Sequence, residues 1–176
     1  MPQKVILKQS GERAPLAKLT KIVAKLSWTK AVDLDLHAFY KDKDGGGLVG
    51  HIYYDNKGKL YHPPCIQLDD DSGVDNTGGE NEENITIKTL THVESVLIAT
   101  NIYRRFSFFS PGDNFAKYDG KVTLDIGQGN FIEIPLDSEE VGKWCIIAKI
   151  DNSDPENPQV INVNKVQKSE PSLKDF

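Results

Sequence analysis

Residues 32–40 read VDLDLHAFY, an apolar–polar alternation with a period of two. Leu34, Leu36, Ala38 and Tyr40 fall on one side, and Asp33, Asp35, His37 and Phe39 on the other. A strand sends successive side chains to opposite faces, so this pattern predicts a half-buried β-strand rather than a helix. Residues 21–28, KIVAKLSW, repeat the pattern: Ile22, Ala24, Leu26 and Trp28 share one face, and Lys21, Lys25 and Ser27 the other.

Outward from this pair the chain keeps the same grammar. Residues 5–8, 51–54, 65–68, 84–90, 121–126, 131–136, 143–150 and 159–165 are short β-prone runs. Residues 95–103, SVLIATNIY, are almost continuously apolar and predict a central strand buried on more than one side. Gly127-Gln128-Gly129-Asn130 and Asp55-Asn56-Lys57-Gly58 are hairpin signals. No segment holds a helical period over twelve residues, and 104–118 is the best place for one short helix. The expectation is an all-β fold: an antiparallel β-sandwich of about ten short strands with irregular end loops. Residues 1–18 form an N-terminal arm or first strand, 19–166 the sandwich, and 167–176 a flexible, solvated tail.

Composition narrows the function classes. The chain has 176 residues, 38% hydrophobic and 27% charged, with a net charge of −5. That is enough for one well-formed core, and an acidic balance argues against a nucleic-acid partner. Arg104-Arg105 beside phenylalanines is read as balancing the acidic region and the rings as covering the end of the sandwich. The apolar run near the N-terminus is too short for a signal-peptide core, and no run approaches membrane-spanning length. Cys65 and Cys145 form no metal-ligand pattern and are read as reduced core thiols, which places the protein in the cytoplasm.

The chemistry concentrates in residues 69–84, DDDSGVDNTGGENEEN, which hold seven acidic residues and no basic one. Such a loop either stays solvated or folds around a hard cation. Calcium takes six to eight oxygens from carboxylates, Asn side chains and backbone carbonyls. Asp33 and Asp35, on one face of a strand about 7 Å apart, either face water or clamp the same ion. An EF-hand does not fit: counted from Asp69, position six is Val74 instead of glycine, and the flanks read as strands. There is no GxSxG and no phosphate loop. His37, His51, His62 and His92 lack zinc spacing and are read as surface or core-edge residues.

Ser27-Trp28, a short gap, and then Asp33-x-Asp35-x-x-x-Phe39 resemble the signature of the tellurium-resistance TerD family. Asp75-Asn76-Thr77-Gly78, an acidic cluster, and then Ile85-x-Ile87-x-x-Leu90 resemble that family's second motif. Asn114-Phe115, residues 121–136 and Gly142-Lys143-Trp144 resemble its later strands, so the likeness spans residues 19–150. The loop here is about two residues shorter than the family form. Asn81 and Glu82 stand where the family has aspartates, and Glu83 stands at its glutamate.

The resemblance implies a calcium-binding β-sandwich with one or two ions near one end, acting in tellurite and stress resistance or phage defence and not in catalysis. It implies a metal site from Asp33, Leu34, Asp35, Asp75, Asn76, Thr77, Gly78, Glu82 and Glu83, with Asp69, Asp70, Asp71 and Glu80 as additional candidates. The expected partners are calcium and the proteins of a stress-response complex, membrane-associated ones included. The alternative is a calcium-dependent membrane-docking or carbohydrate-binding module, because acidic loops at sandwich ends serve both purposes.

Overall fold

Alternation settles which faces meet. In the segment Ile22–Trp28 the apolar positions Ile22, Ala24, Leu26 and Trp28 are all buried, and Lys25 between them is exposed. The computed structural model describes residues 1–18, 21–44, 46–69, 79–103 and 112–176. Its strands are β1 (Lys4–Ile6), β2 (Arg13–Pro15), β3 (Ile22–Trp28), β4 (Asp33–Asp42), β5 (Val49–Ile52), β6 (Gly58–Lys59) and β7 (Ile66–Leu68). They continue as β8 (Asn81–Ile87), β9 (Val93–Tyr103), β10 (Lys121–Asp125), β11 (Phe131–Pro135), β12 (Trp144–Asp151) and β13 (Gln159–Gln167).

Two sheets result. The seven-stranded one runs β1-β11-β10-β3-β8-β7-β6, and the six-stranded one β2-β13-β12-β9-β4-β5. Among the described residues, all strand pairings are antiparallel except β1 with β11. The sandwich predicted from the alternation is therefore present. The strands beyond the expected ten are two- and three-residue edge pieces such as β2 and β6. The 1–18 arm is shared between the sheets, β1 pairing with β11 and β2 with β13. The buried Asn162 amide donates to the Leu7 carbonyl at 2.9 Å and ties the arm down. The hairpin expected at residues 55–58 is instead a crossing from one sheet to the other: β5 pairs with β4 and β6 with β7. In the long connection, a 3-10 turn over Phe115–Tyr118 sinks Phe115 into the core. The other phenylalanines of that connection, and Arg104-Arg105, lie outside the described residues. Among the described residues, no helix is long and apolar enough to cross a membrane.

The core lies between the sheets, where Leu26, Ile85, Ile87 and Leu124 of one face Leu36, Ile98, Ile102 and Ile147 of the other. Each such side chain contributes about 1.5–3 kcal/mol on burial. Both cysteines are free and buried, and burial pushes the Cys145 thiol well above its ordinary range.

The six-stranded sheet is also covered on its outside. Phe39, Leu97, Ala99, Trp144 and Ile146 form a second apolar cluster there, with Phe176 packed on it. This is why residues 95–103 read as apolar on both sides. Of residues 167–176, expected as a solvated tail, Gln167 instead ends β13, and the rest is held at this face through Glu170, Asp175 and Phe176. Asp175 accepts from the Ser172 amide at 2.8 Å to cap the turn Leu173–Asp175, and Lys165 Nζ holds the same carboxylate at 2.8 Å. The apolar strip supplies the reason, since leaving it wet forfeits the burial that Phe176 provides.

Trp28 closes the turn between the sheets. Its buried Nε1–H donates to the Val32 carbonyl at 2.8 Å. Trp28→Phe leaves that carbonyl without its donor, and we expect a loss of about 1–3 kcal/mol. Urea unfolding followed by circular dichroism checks this: the midpoint should fall with an unchanged slope.

Candidate functional site

The Trp28 hydrogen bond ends one residue before β4 begins, so it sets which side chains of β4 face outward. Leu34 and Leu36 enter the core. Asp33 and Asp35 take the outer face near the start of the strand, each only 8% exposed. β5 pairs with β4 only from Ala38 onward. Ahead of that point the Leu36 amide is taken by a side chain: Glu83 Oε2 accepts from Leu36 N–H at 2.6 Å. Glu83 is 2% exposed and comes from β8, on the other sheet. β4 and β8, from the two sheets, thus bring Asp33, Leu34, Asp35 and Glu83 into one corner.

The acidic loop leaves the fold at this corner. Its stem is zipped: the Asp69 amide donates to the Asn84 carbonyl at 2.9 Å, and the Asp69 carboxylate accepts from the Asn84 backbone at 3.0 Å and side chain at 2.7 Å. At the far end Gly79 N–H donates to the Thr29 carbonyl at 3.0 Å. Thr29 in turn donates from its amide to Asp119 at 2.9 Å and from its hydroxyl to the same carboxylate. Those contacts, after the burial that opposes them, hold the Asp119 carboxyl below its usual range. The loop is therefore pinned to the turn that presents Asp33 and Asp35.

The remaining predicted residues divide. Glu82 and Glu83 are neighbours in one strand and must face opposite ways; Glu82 points outward, 3.2 Å from Lys25 Nζ. Asp69 is committed to the stem, and Glu80 is exposed. Asp70, Asp71, Asp75, Asn76, Thr77 and Gly78 lie outside the described residues. Among the described residues, no three carboxylate, imidazole or thiol groups converge as a ready metal cage.

Beside the corner lies a feature that the sequence reading missed. Asp35 lines a cavity of about 270 Å³ on the outer face of the six-stranded sheet, together with His37, His51, Asn101, Trp144 and Glu170. His37 joins Asn101 Oδ1 through Nε2 at 2.5 Å and His51 Nε2 through Nδ1 at 2.9 Å. His51 Nδ1 lies 3.1 Å from Glu170, which the docked tail delivers. Phe39, His51 and Tyr53 stack, with ring centroids 4.0 and 4.2 Å apart. Two histidines read as separate surface or core-edge residues are thus one hydrogen-bonded pair, His37 buried and His51 half-buried. The signal was Phe39: an aromatic on the polar side of 32–40 means that side is covered. A larger cavity, about 500 Å³, sits at the other end of β3 near Lys21 and the 125–130 turn, away from these groups.

No protein-family model and no curated protein matches the chain. Its fold is similar to that of the unknown function protein SAV2460, at 18% identity, over 90% of this chain and 96% of that chain, with a TM-score of 0.63. It is also similar to a homologue of telluride resistance protein (TerD), SCO6318 from Streptomyces coelicolor A3(2), at 16% identity, over 87% and 93%, with a TM-score of 0.63. At such identity the likeness is one of fold.

Burial pushes both His37 and His51 down to about 4, with the Asn101 contact opposing this at His37. The unfolded chain therefore binds more protons than the folded one between about pH 4 and the ordinary histidine value near 6.5. Stability is fully present above that value and is lost as the pH falls toward about 4. Urea midpoints at pH 7 and pH 4.5 should differ in that direction, and the His37→Gln/His51→Gln double variant should show a smaller difference.

Proposed function

We propose that this is a calcium-binding, non-enzymatic stress-response protein of the tellurium-resistance type, acting in the cytoplasm through protein partners. One observation carries the reading: the stem of a strongly acidic loop is pinned to the corner where three carboxylates, Asp33, Asp35 and Glu83, are already buried. Charged carboxylates withdrawn from water need nearby positive charge or dense hydrogen bonding. Adding a run of further carboxylates at the same place raises that need. The donors are all hard oxygens, which is the set calcium takes. The fold shared with the TerD homologue, and the order of the two motifs, support the same assignment.

In this reading Asp33 and Asp35 supply carboxylates from β4, Leu34 its carbonyl, and Glu83 a carboxylate from β8. Asp75, Asn76, Thr77 and Gly78 supply the loop's share. Calcium would contribute charge neutralisation and cross-linking. The chain's own work is to hold β4 and the loop stem at a fixed spacing, so that one ion joins the two segments. The face completed by that ion is what a partner protein would read.

Binding to the folded state alone raises stability by mass action, about 2.7 kcal/mol when calcium exceeds Kd a hundredfold. For a chain of this size that corresponds to a rise in Tm of about 5–10 °C. Asp35→Ala and Asp75→Ala should each weaken calcium binding in titration calorimetry. Identical melting curves in EDTA and in calcium would sink the proposal. Unaltered affinity in both variants would remove those two residues from the site.

A further inference from the structure

The cavity beside the corner has walls of a kind that calcium does not require. Tyr53, Tyr54, Tyr103 and Trp144 line it, and Asp35 and Glu170 face it with Lys143. Tyr54 and Tyr103 are exposed at its mouth, whereas Trp144 and Asp35 are buried. The geometry points to a binding site for a small organic cation, an alkylammonium or guanidinium ion held between aromatic faces and the two carboxylates.

Three properties of the cavity favour that class. First, the charge balance is negative among the described residues: two carboxylates and one ammonium line the walls. Second, aromatic faces attract cations through their ring quadrupole, and Tyr and Trp are the residues that build such cages. Phe39, His51 and Tyr53 stack on one another, which holds the Tyr53 ring in place. Tyr54 stands edge-on to Tyr53 with centroids 5.2 Å apart, so the two rings offer differently oriented surfaces. Third, the floor is pre-organised. His37 is fixed by Asn101 on one side and His51 on the other, and its ring lies 4.7 Å from that of Trp144. A site whose groups are held before the ligand arrives loses little on ordering them.

The volume of about 270 Å³ selects for size. It is slightly below the usual range for drug-sized ligands, and so suits a metabolite-sized amine rather than a nucleotide or an oligosaccharide. Glu170 adds a feature of its own. It belongs to the docked tail, so the tail supplies one wall of the site as well as a cover for the sheet. The walls named here are all described residues, and Asp35 is shared with the calcium site proposed above, so the two ligands are tested apart.

The test is titration calorimetry of the full chain in EDTA with choline, agmatine and putrescine, alongside 3,3-dimethyl-1-butanol, the uncharged isostere of choline. We expect at least one of the cations to bind with saturable heat, and the isostere to bind at least about tenfold more weakly than choline if choline is that ligand. Glu170→Gln and Tyr54→Ala, both at exposed positions, should each weaken the best cation about tenfold while leaving the far-ultraviolet circular dichroism unchanged. Absence of binding by all three cations overturns the proposal. So does choline binding that its isostere equals, and so does an affinity that neither variant changes. Running the titrations in EDTA keeps a negative result here separate from a negative result for calcium.

Discussion

The indole of Trp28 fixes the phase of the strand that follows it. Its hydrogen bond to Val32 sets where β4 starts. In a strand, a slip of one residue moves every side chain to the other face. Such a slip would drive Asp33 and Asp35 into an apolar core and expel Leu34 and Leu36. The core therefore enforces the placement of the carboxylates as strictly as the carboxylates' own chemistry does. The Leu36 amide, reached by Glu83 from the other sheet, confirms the same phase from a second direction.

Charge placement gives that corner its character. An ion pair between two exposed groups, such as Lys25 with Glu82, contributes little. The acids at the start of β4 are different, because they are withdrawn from water at a point where more acids are tethered. Stability and binding are opposed there. A chain selected only for stability would carry apolar or amide groups at those positions. The adjoining cavity shows the same preference, with carboxylates and aromatic rings where plain packing would do.

Much of this architecture was legible in residue order. Period-two alternation identified β3 and β4 and their inward faces, and continuous apolarity in residues 95–103 announced a strand covered on both sides. The approach of the loop's described ends to β4, through Gly79 at Thr29 and Glu83 at Leu36, agrees with the order of the two motifs. What stayed hidden depended on contacts between residues distant in the chain. Glu170 sits in a polar C-terminal stretch, and nothing local says that it reaches His51. Glu82 and Glu83 look equivalent as a pair, and only the pairing of β8 with β3 separates an outward residue from a buried one. The 55–58 turn carried a sound hairpin signal, but the strand after it found β7 instead of β5. Turn chemistry specifies a reversal of direction and leaves the choice of sheet to the core.

The edge pairings also dictate an order of events. β1 completes its pairing only with residues 131–133, and β2 only with residues 159–161. During synthesis the first fifteen residues must therefore wait until most of the chain has been made. Pairings of such separation close long loops and slow folding. β3, β7 and β8, by contrast, find one another within the first ninety residues. The sandwich accordingly has an early half and a late half. The late half includes the N-terminus, whose unpaired β-prone residues are exposed on the nascent chain for longest.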